Sequence, residues 1–251
     1  MSSDQSRALS FGAVAEQYDR ARPSYPAELI DELLALPHEA VLEVGCGTGK
    51  ASELLLARGV QLLAVEPDER MAAVARRKGV PVEVSPFESW DAADRTFDLI
   101  VAGQSWHWVA QPAGAERALA LLRPGGHLAA FWNLGTLDAE VTSVLESVYR
   151  EVAPLITDTA ASLREQVDEH RGQLDALHAA GFAPVELRTY PWTRRYSSHE
   201  WVEYIGTHSD HATLPAAQRD ELLRRVGAAI DAIGGAVDFH FTTALMLATR
   251  P

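Results

Sequence analysis

The chain holds a single cysteine, Cys46, among its 251 residues. One thiol cannot build an internal disulfide framework, so a packed core must supply the stability, and this usage fits a reducing compartment. Long apolar runs are missing as well. No uninterrupted stretch approaches the roughly 20 residues needed to span a bilayer. The opening residues, MSSDQSRALSF, contain no apolar core of a secretory signal. Positive charge is also scarce, with 22 Lys and Arg against 35 Asp and Glu and a formal charge of -13. Binding to nucleic acid phosphates relies on clustered cations, so this balance argues against a nucleic-acid partner. The expectation is a soluble, cytoplasmic protein without a membrane partner, its oligomeric state open between monomer and homodimer.

Hydrophobic residues make up 47% of the chain, which is enough for a sizeable core. No internal repeat and no linker-like boundary divides it, so a single domain over 1–251 is expected. Short apolar runs alternate with helical patterns through the first half. Strands are expected at 40–44, 61–65, 80–84, 97–102 and 127–132, and helices at 50–59, 68–79 and 113–126. Continuous apolar runs separated by helices describe a parallel sheet buried on both faces, a doubly wound α/β fold. In front, FGAVAEQYDRARPSYP reads as a short helix ending at Pro23, and AELIDELLAL as an amphipathic one. Behind, 137–167 reads as largely helical with a break at Pro154. A helix ends at Gly181, and two β-rich runs, 184–197 and 237–250, bracket the helical segments SSHEWVEYIG and PAAQRDELLRRVGAAIDAIGG.

The most informative stretch is VLEVGCGTGK. A strand runs into Gly45, Gly47 and Gly49, and a helix follows at once. Glycines are needed where a backbone turns sharply and a ligand approaches the main chain itself. The dinucleotide spacing GxGxxG would require glycine at position 50, where Lys50 stands, and this speaks against an NAD-dependent oxidoreductase. Glu66 closes the second strand. A carboxylate there can accept hydrogen bonds from both hydroxyls of a ribose, while Asp68 serves the following helix N-terminus. Cys46 sits inside the loop with no base beside it in sequence and reads as packing rather than as a nucleophile.

Together, VLEVGCGTGK, Glu66, the FDLIVA strand and LLRPGGHLAAFW resemble the class I S-adenosylmethionine-dependent methyltransferases, most strongly over residues 35–132. The N-terminal FGAVAEQYDRARPSYP and the segment YSSHEWVEYIGTHSD resemble the type-11, trans-aconitate methyltransferase-like branch. The resemblance implies seven strands ordered 3-2-1-4-5-7-6, the last antiparallel, with helical insertions forming a lid. It divides the chain into N-terminal lid helices (1–36), a cofactor-binding core (37–135) and a C-terminal half (136–251) with inserts at about 137–167 and 198–234. It implies S-adenosyl-L-methionine as cofactor, with Gly45, Gly47 and Gly49 along its methionine half and Glu66 on its ribose. Pro67 and Met71 would lie near the adenosine, Phe87 and Glu88 near the adenine, and Gln104 at the cofactor. Ser85 stands where that adenine turn usually begins with glycine. A non-catalytic, cofactor-binding module of the same fold is the alternative to an enzyme.

The acceptor is expected to be a small molecule, because the chain is acidic and no Asp/Asn-Pro-Pro-Tyr/Phe tetrapeptide follows FDLIVA. QSWHWV leaves the fourth strand at the sheet's carboxyl edge, where ligands of open α/β sheets bind. Read as extended chain, it points Trp106 and Trp108 one way and Ser105 and His107 the other. His107 is the candidate catalytic residue: an acceptor contact, and a base only if the acceptor must lose a proton. Tyr18, Arg22 and Tyr25 form a second candidate wall, in which two nearby arginines could grip a carboxylate. Trp106, Tyr196, Trp201, Tyr204 and His208 complete the acceptor candidates. His208 and His211 flank Asp210, but an HxxH pair without a third ligand at a recognised spacing is a weak metal signal, and no metal is expected.

Overall fold

A computed structural model describes residues 15–156 and 171–251 of the chain. Seven strands form one sheet in the order β3-β2-β1-β4-β5-β7-β6. They are β1 (Val41–Val44), β2 (Leu62–Glu66), β3 (Val82–Val84), β4 (Phe97–Gly103), β5 (Leu122–Leu137), β6 (Val185–Ser197) and β7 (Ala236–Thr249). The first five pair in parallel, and β7 runs antiparallel to both β5 and β6. This is the order that the sequence resemblance implies.

The helices before and within the parallel half are α1 (Ala15–Ala21), α2 (Ala27–Leu34), α3 (Lys50–Leu56), α4 (Glu69–Arg77) and α5 (Ala113–Leu121). After β5 come α6 (Ala139–Val152) and α7 (Arg171–Ala180), then α8 (Ser198–Ile205), α9 (Ser209–Ala212) and α10 (Ala216–Ala232) between β6 and β7. The expected helix at 113–126 stops five residues early. Leu122 is already extended, Arg123 precedes Pro124 and is pushed out of the helical region, and β5 begins there. The expected strand at 127–132 is accordingly a 16-residue one. Residues 1–14 of the expected lid and 157–167 of the expected helical insert lie outside the described residues.

Alternation along each strand sends side chains to two cores. Leu42 and Val44 pack on one face with Ile100, Trp106 and Trp132, while Val41 packs on the other with Leu29, Leu33, Leu99 and Phe131. A third cluster of Leu145, Tyr149, Tyr196, Trp201, Leu222 and Phe241 holds the helical insert on the β6–β7 ribbon. Among the described residues no helix is long and apolar enough to cross a membrane.

The segment after β4 is not extended. Trp106–Trp108 wind into a single 3-10 turn, with Val109 N–H bonding to the Trp106 carbonyl at 3.1 Å. The turn breaks the two-way alternation expected from the sequence. Trp106 is fully buried, Trp108 is half-buried and His107 is exposed. Trp106 fills the core beneath the strand ends, against Phe87 at 6.1 Å between ring centroids. Replacing Trp106 with Ala should cost roughly 3–5 kcal/mol of folding stability. Chemical denaturation of the variant against wild type measures this.

Candidate active site

The carboxyl ends of β1, β2, β4 and β5 open onto one cavity of about 710 Å³, covered from one side by the N-terminal segment and from another by the α8–α9 link. That volume suits a small-molecule site, for which roughly 300–1,000 Å³ is usual.

The floor is the glycine loop. Gly45, Gly47 and Gly49 all have positive φ, at 66°, 55° and 83°. A Cβ on Gly45 would meet the Ser105 Cβ at 2.6 Å, so this glycine is demanded by the turn after β4 as well as by its own backbone. Ser105 in turn donates to the Val44 carbonyl at 2.5 Å. Gly45 and Gly47 line the cavity, whereas Gly49 stands behind it as the cap of α3, close to Ala75 and Val80. Its role is helix packing rather than ligand contact, which corrects the expectation for that residue.

Glu66 lines the cavity at the end of β2. Its two carboxylate oxygens accept from Gly47 N–H at 2.8 Å and Asp68 N–H at 3.0 Å. A carboxylate offers about four lone-pair positions, so two remain for a ligand. Burial raises its pKa to about 7 despite those two backbone donors. Glu43 on β1 also faces this space, again raised to about 7 by burial, with Ser52 Oγ donating to it. Sequence reasoning missed Glu43, although an acidic residue inside the apolar run VLEV was the signal. The Cys46 thiol is buried and pushed well above its ordinary pKa by burial and by the Glu43 and Glu66 charges, so it stays protonated and inert.

Pro67, Met71, Phe87 and Glu88 continue the wall on this side, and the Glu88 carboxylate accepts from Ala110 N–H at 2.7 Å. Gln104, at φ 58°, holds a left-handed backbone at the cavity's edge, with its amide reaching the Asn133 carbonyl at 3.3 Å. Strained backbone of this kind persists only where its surroundings hold it. Thr48 Oγ1 is buried in the lining with no partner. An elongated ligand with an anionic and amino end over the glycines and a diol at Glu66 fits these donors and acceptors. S-adenosylmethionine is such a molecule.

Toward the lid the lining becomes aromatic and polar. Tyr18, Arg22, Tyr25, His107, Tyr204 and His208 all line the cavity. Trp106, Tyr196 and Trp201 do not. Trp106 belongs to the sheet core, and Tyr196 and Trp201 to the core beneath the insert, where apolar burial outweighs display to a ligand. Trp108, Asn133, Ser209 and Asp210 line the cavity without having been anticipated there. Trp132 Nε1–H donates to His107 Nδ1 at 3.0 Å, which in the neutral ring leaves the proton on Nε2. Neutral His107 therefore presents a donor rather than a base.

Arg22 is committed to structure. Its Nε donates to Thr207 Oγ1 at 2.8 Å and its Nη2 to the Thr207 carbonyl at 3.0 Å, and its guanidinium lies 5.1 Å from the Tyr18 ring and 5.5 Å from that of Tyr204. It ties the N-terminal lid to the α8–α9 link while adding positive charge to the cavity. Arg20 does not line the cavity and bonds to the Glu16 carbonyl, so the expected two-arginine grip is not formed.

Known proteins agree with this geometry. A family model described as a methyltransferase domain matches residues 18–132. An uncharacterized methyltransferase of Mycobacterium tuberculosis is 32% identical over 221 residues, covering 87% of this chain and 84% of its own. The trans-aconitate 2-methyltransferase of an Acidovorax species is 29% identical over 228 residues, covering 82% of this chain and 84% of its own. A solved structure described as a type II methyltransferase from Anaeromyxobacter dehalogenans shares the fold with a TM-score of 0.66 at 24% identity, over 91% of this chain and 98% of that one. With the same kinship running through lid, glycine loop and C-terminal ribbon, the chain belongs to the class I S-adenosylmethionine-dependent methyltransferases.

Proposed function

We propose that the protein transfers the methyl group of S-adenosylmethionine to an oxygen of a small acceptor, a carboxylate or a hydroxyl. The observation that carries this reading is the single cavity running from the glycine loop and Glu66 to the wall of Arg22, Tyr204 and His208. The relative named for trans-aconitate, a carboxylic acid, supports an acidic acceptor, and so does the positive charge of Arg22.

Bound S-adenosylmethionine supplies a methyl carbon on a sulfonium, which leaves by in-line displacement. The chain's own work is then positional, since holding two reactants in line contributes roughly 7–11 kcal/mol. Gly45 and Gly47 bring the backbone close, Glu66 fixes the ribose, and the Tyr18–Tyr25–Tyr204 face excludes water from the acceptor side. A carboxylate acceptor needs no base. A hydroxyl acceptor must lose its proton, and His107, with Nδ1 accepting from Trp132, is not placed to take it, so a carboxylate is the acceptor that this site serves without a base.

Titration calorimetry should show S-adenosylhomocysteine binding and NAD failing to bind, and the reverse result would end this reading. The affinity should also depend on pH with a definite sign. Free Glu66 has its pKa raised from 4.5 to about 7, and ribose hydroxyls donating to the carboxylate favour its ionised form. Affinity should then be highest above pH 7 and fall as pH drops through about 7, by up to about tenfold per unit. Glu66→Gln should weaken binding by about 1.5–3 kcal/mol and flatten that dependence. A flat wild-type profile would remove Glu66 from the ribose role.

A further inference from the structure

The α8–α9 link carries a cluster that the methyl-transfer reading leaves unused. His208, Asp210 and His211 lie within four positions at the start of α9, and one ligand atom from each falls within 4.8 Å of the other two. Asp210 Oδ1 accepts from the His211 backbone N–H at 2.8 Å and meets His211 Nδ1 at 2.7 Å. On its far side His211 Nε2 meets the buried Tyr149 hydroxyl at 2.8 Å. His208 stands edge-on to His211, with ring centroids 5.9 Å apart and planes at 89°, and its Nε2 is buried with no partner. His208 and Asp210 both line the cavity.

A chain of hydrogen bonds through Asp210, His211 and Tyr149 satisfies two of the three side chains. It leaves the His208 Nε2 orphaned, and an unpaired buried polar atom is costly. A cation shared by the three removes that cost. We propose that His208, Asp210 and His211 bind one divalent first-row transition ion in the wall of the cavity, with open coordination positions facing the acceptor end.

The ligand chemistry fits. Two imidazoles and one carboxylate on one side of an ion, with open positions opposite, are the facial set that Fe(II)-type ions accept. The 2.7 Å between Asp210 Oδ1 and His211 Nδ1 is near the roughly 3 Å separation of ligands at right angles and short of the roughly 3.4 Å of a tetrahedral site with bonds of about 2.1 Å. His208 completes the set, with its ligand atom within 4.8 Å of the other two. With an ion on Nδ1, the His211 proton sits on Nε2 and is donated to the Tyr149 oxygen. This is the outer-shell arrangement by which ligating histidines are usually oriented. Asp210 reduces the ion's charge and Arg22 adds to it, so the pair creates a net positive wall. An acceptor oxygen would occupy the open positions, and that part alone rests on the oxygen-acceptor reading above.

The site is tested on the full chain, without any acceptor, by titrating Co2+ and following both heat and the visible absorption of the bound ion. The expected result is one ion per chain. His208→Ala and Asp210→Asn should each weaken binding by about 100-fold or more, and Tyr149→Phe by about 10–100-fold, the range typical of outer-shell partners. Circular dichroism and thermal unfolding of each variant, read in parallel, should match wild type and report an intact fold. Absence of stoichiometric Co2+ binding by wild type, or binding that survives His208→Ala, overturns the proposal and leaves a hydrogen-bonded cluster only. Because the readout is the ion itself, failure here does not touch the methyl-transfer reading, and failure to find an oxygen acceptor does not touch the site.

Discussion

The hydrogen bond from Gly47 N–H to the Glu66 carboxylate is the interaction on which the rest of the site depends. It joins the loop after β1 to the end of β2, two parallel strands paired from Val41↔Leu62 to Val44↔Val65. It thereby fixes the Glu66 carboxylate relative to the bare backbone of the glycine turn. The positive φ of Gly47 aims that N–H at the carboxylate, and the Asp68 N–H at the start of α4 completes the grip. Burying a carboxylate is costly, and its raised pKa is the visible result. Two backbone donors offset part of the cost and leave lone pairs directed at the cavity. The loop is held from the other side by Ser105, whose side chain fills the space that a Cβ on Gly45 would need. Cofactor floor and acceptor wall are thus one mechanical unit.

That unit explains what could be read from the sequence. The strand order, the glycine turn and Glu66 were legible because each is local: an apolar run, a spacing, and an acidic residue at a strand end. Failures came where tertiary packing decides. In QSWHWV the residue types promised an aromatic wall, but the 3-10 turn sends Trp106 inward and leaves Trp108 and His107 at the cavity. Tyr196 and Trp201 misled in the same way. They lie within a few residues of Tyr204, yet the insert needs an apolar underside against Phe239 and Phe241, and these two rings supply it. Glu43 was passed over because a strand interior is read for its apolar residues. Arg22 was recognised for its charge, whereas its two bonds to Thr207 join segments 185 residues apart, which local patterns do not reveal.

Polar ties add to the apolar packing of Leu29, Ile30 and Leu33 in holding the N-terminal segment on the body. Besides Arg22–Thr207, Lys78 pairs with Asp19 at 2.5 Å, and the Asn133 amide donates to the Ser24 carbonyl at 3.0 Å. Each joins the N-terminal segment to a different part of the body. Ties of this kind are individually weak, of the order of 1 kcal/mol, so they set where the segment lies over the cavity more than how strongly it is held.

Charge divides the cavity along its length. Glu43 and Glu66 gather at the cofactor end, while Arg22 stands at the acceptor end, in a protein whose overall charge is -13. A field of that sign draws cations from solution and repels anions. The sulfonium cofactor is therefore favoured on approach, and its charge disappears when the methyl group leaves, so the neutral product loses part of the attraction that held its precursor. An anionic acceptor faces the opposite condition, being disfavoured in solution and retained only once it reaches local positive charge. The Arg22 guanidinium is held in place by Thr207 and by two tyrosine rings, and so it provides that charge without having to be reorganised when the acceptor arrives. The positive charge at that end of the cavity is therefore placed by the short link between Ile205 and Ala212, whose Thr207 anchors Arg22 and whose His208, Ser209 and Asp210 line the cavity.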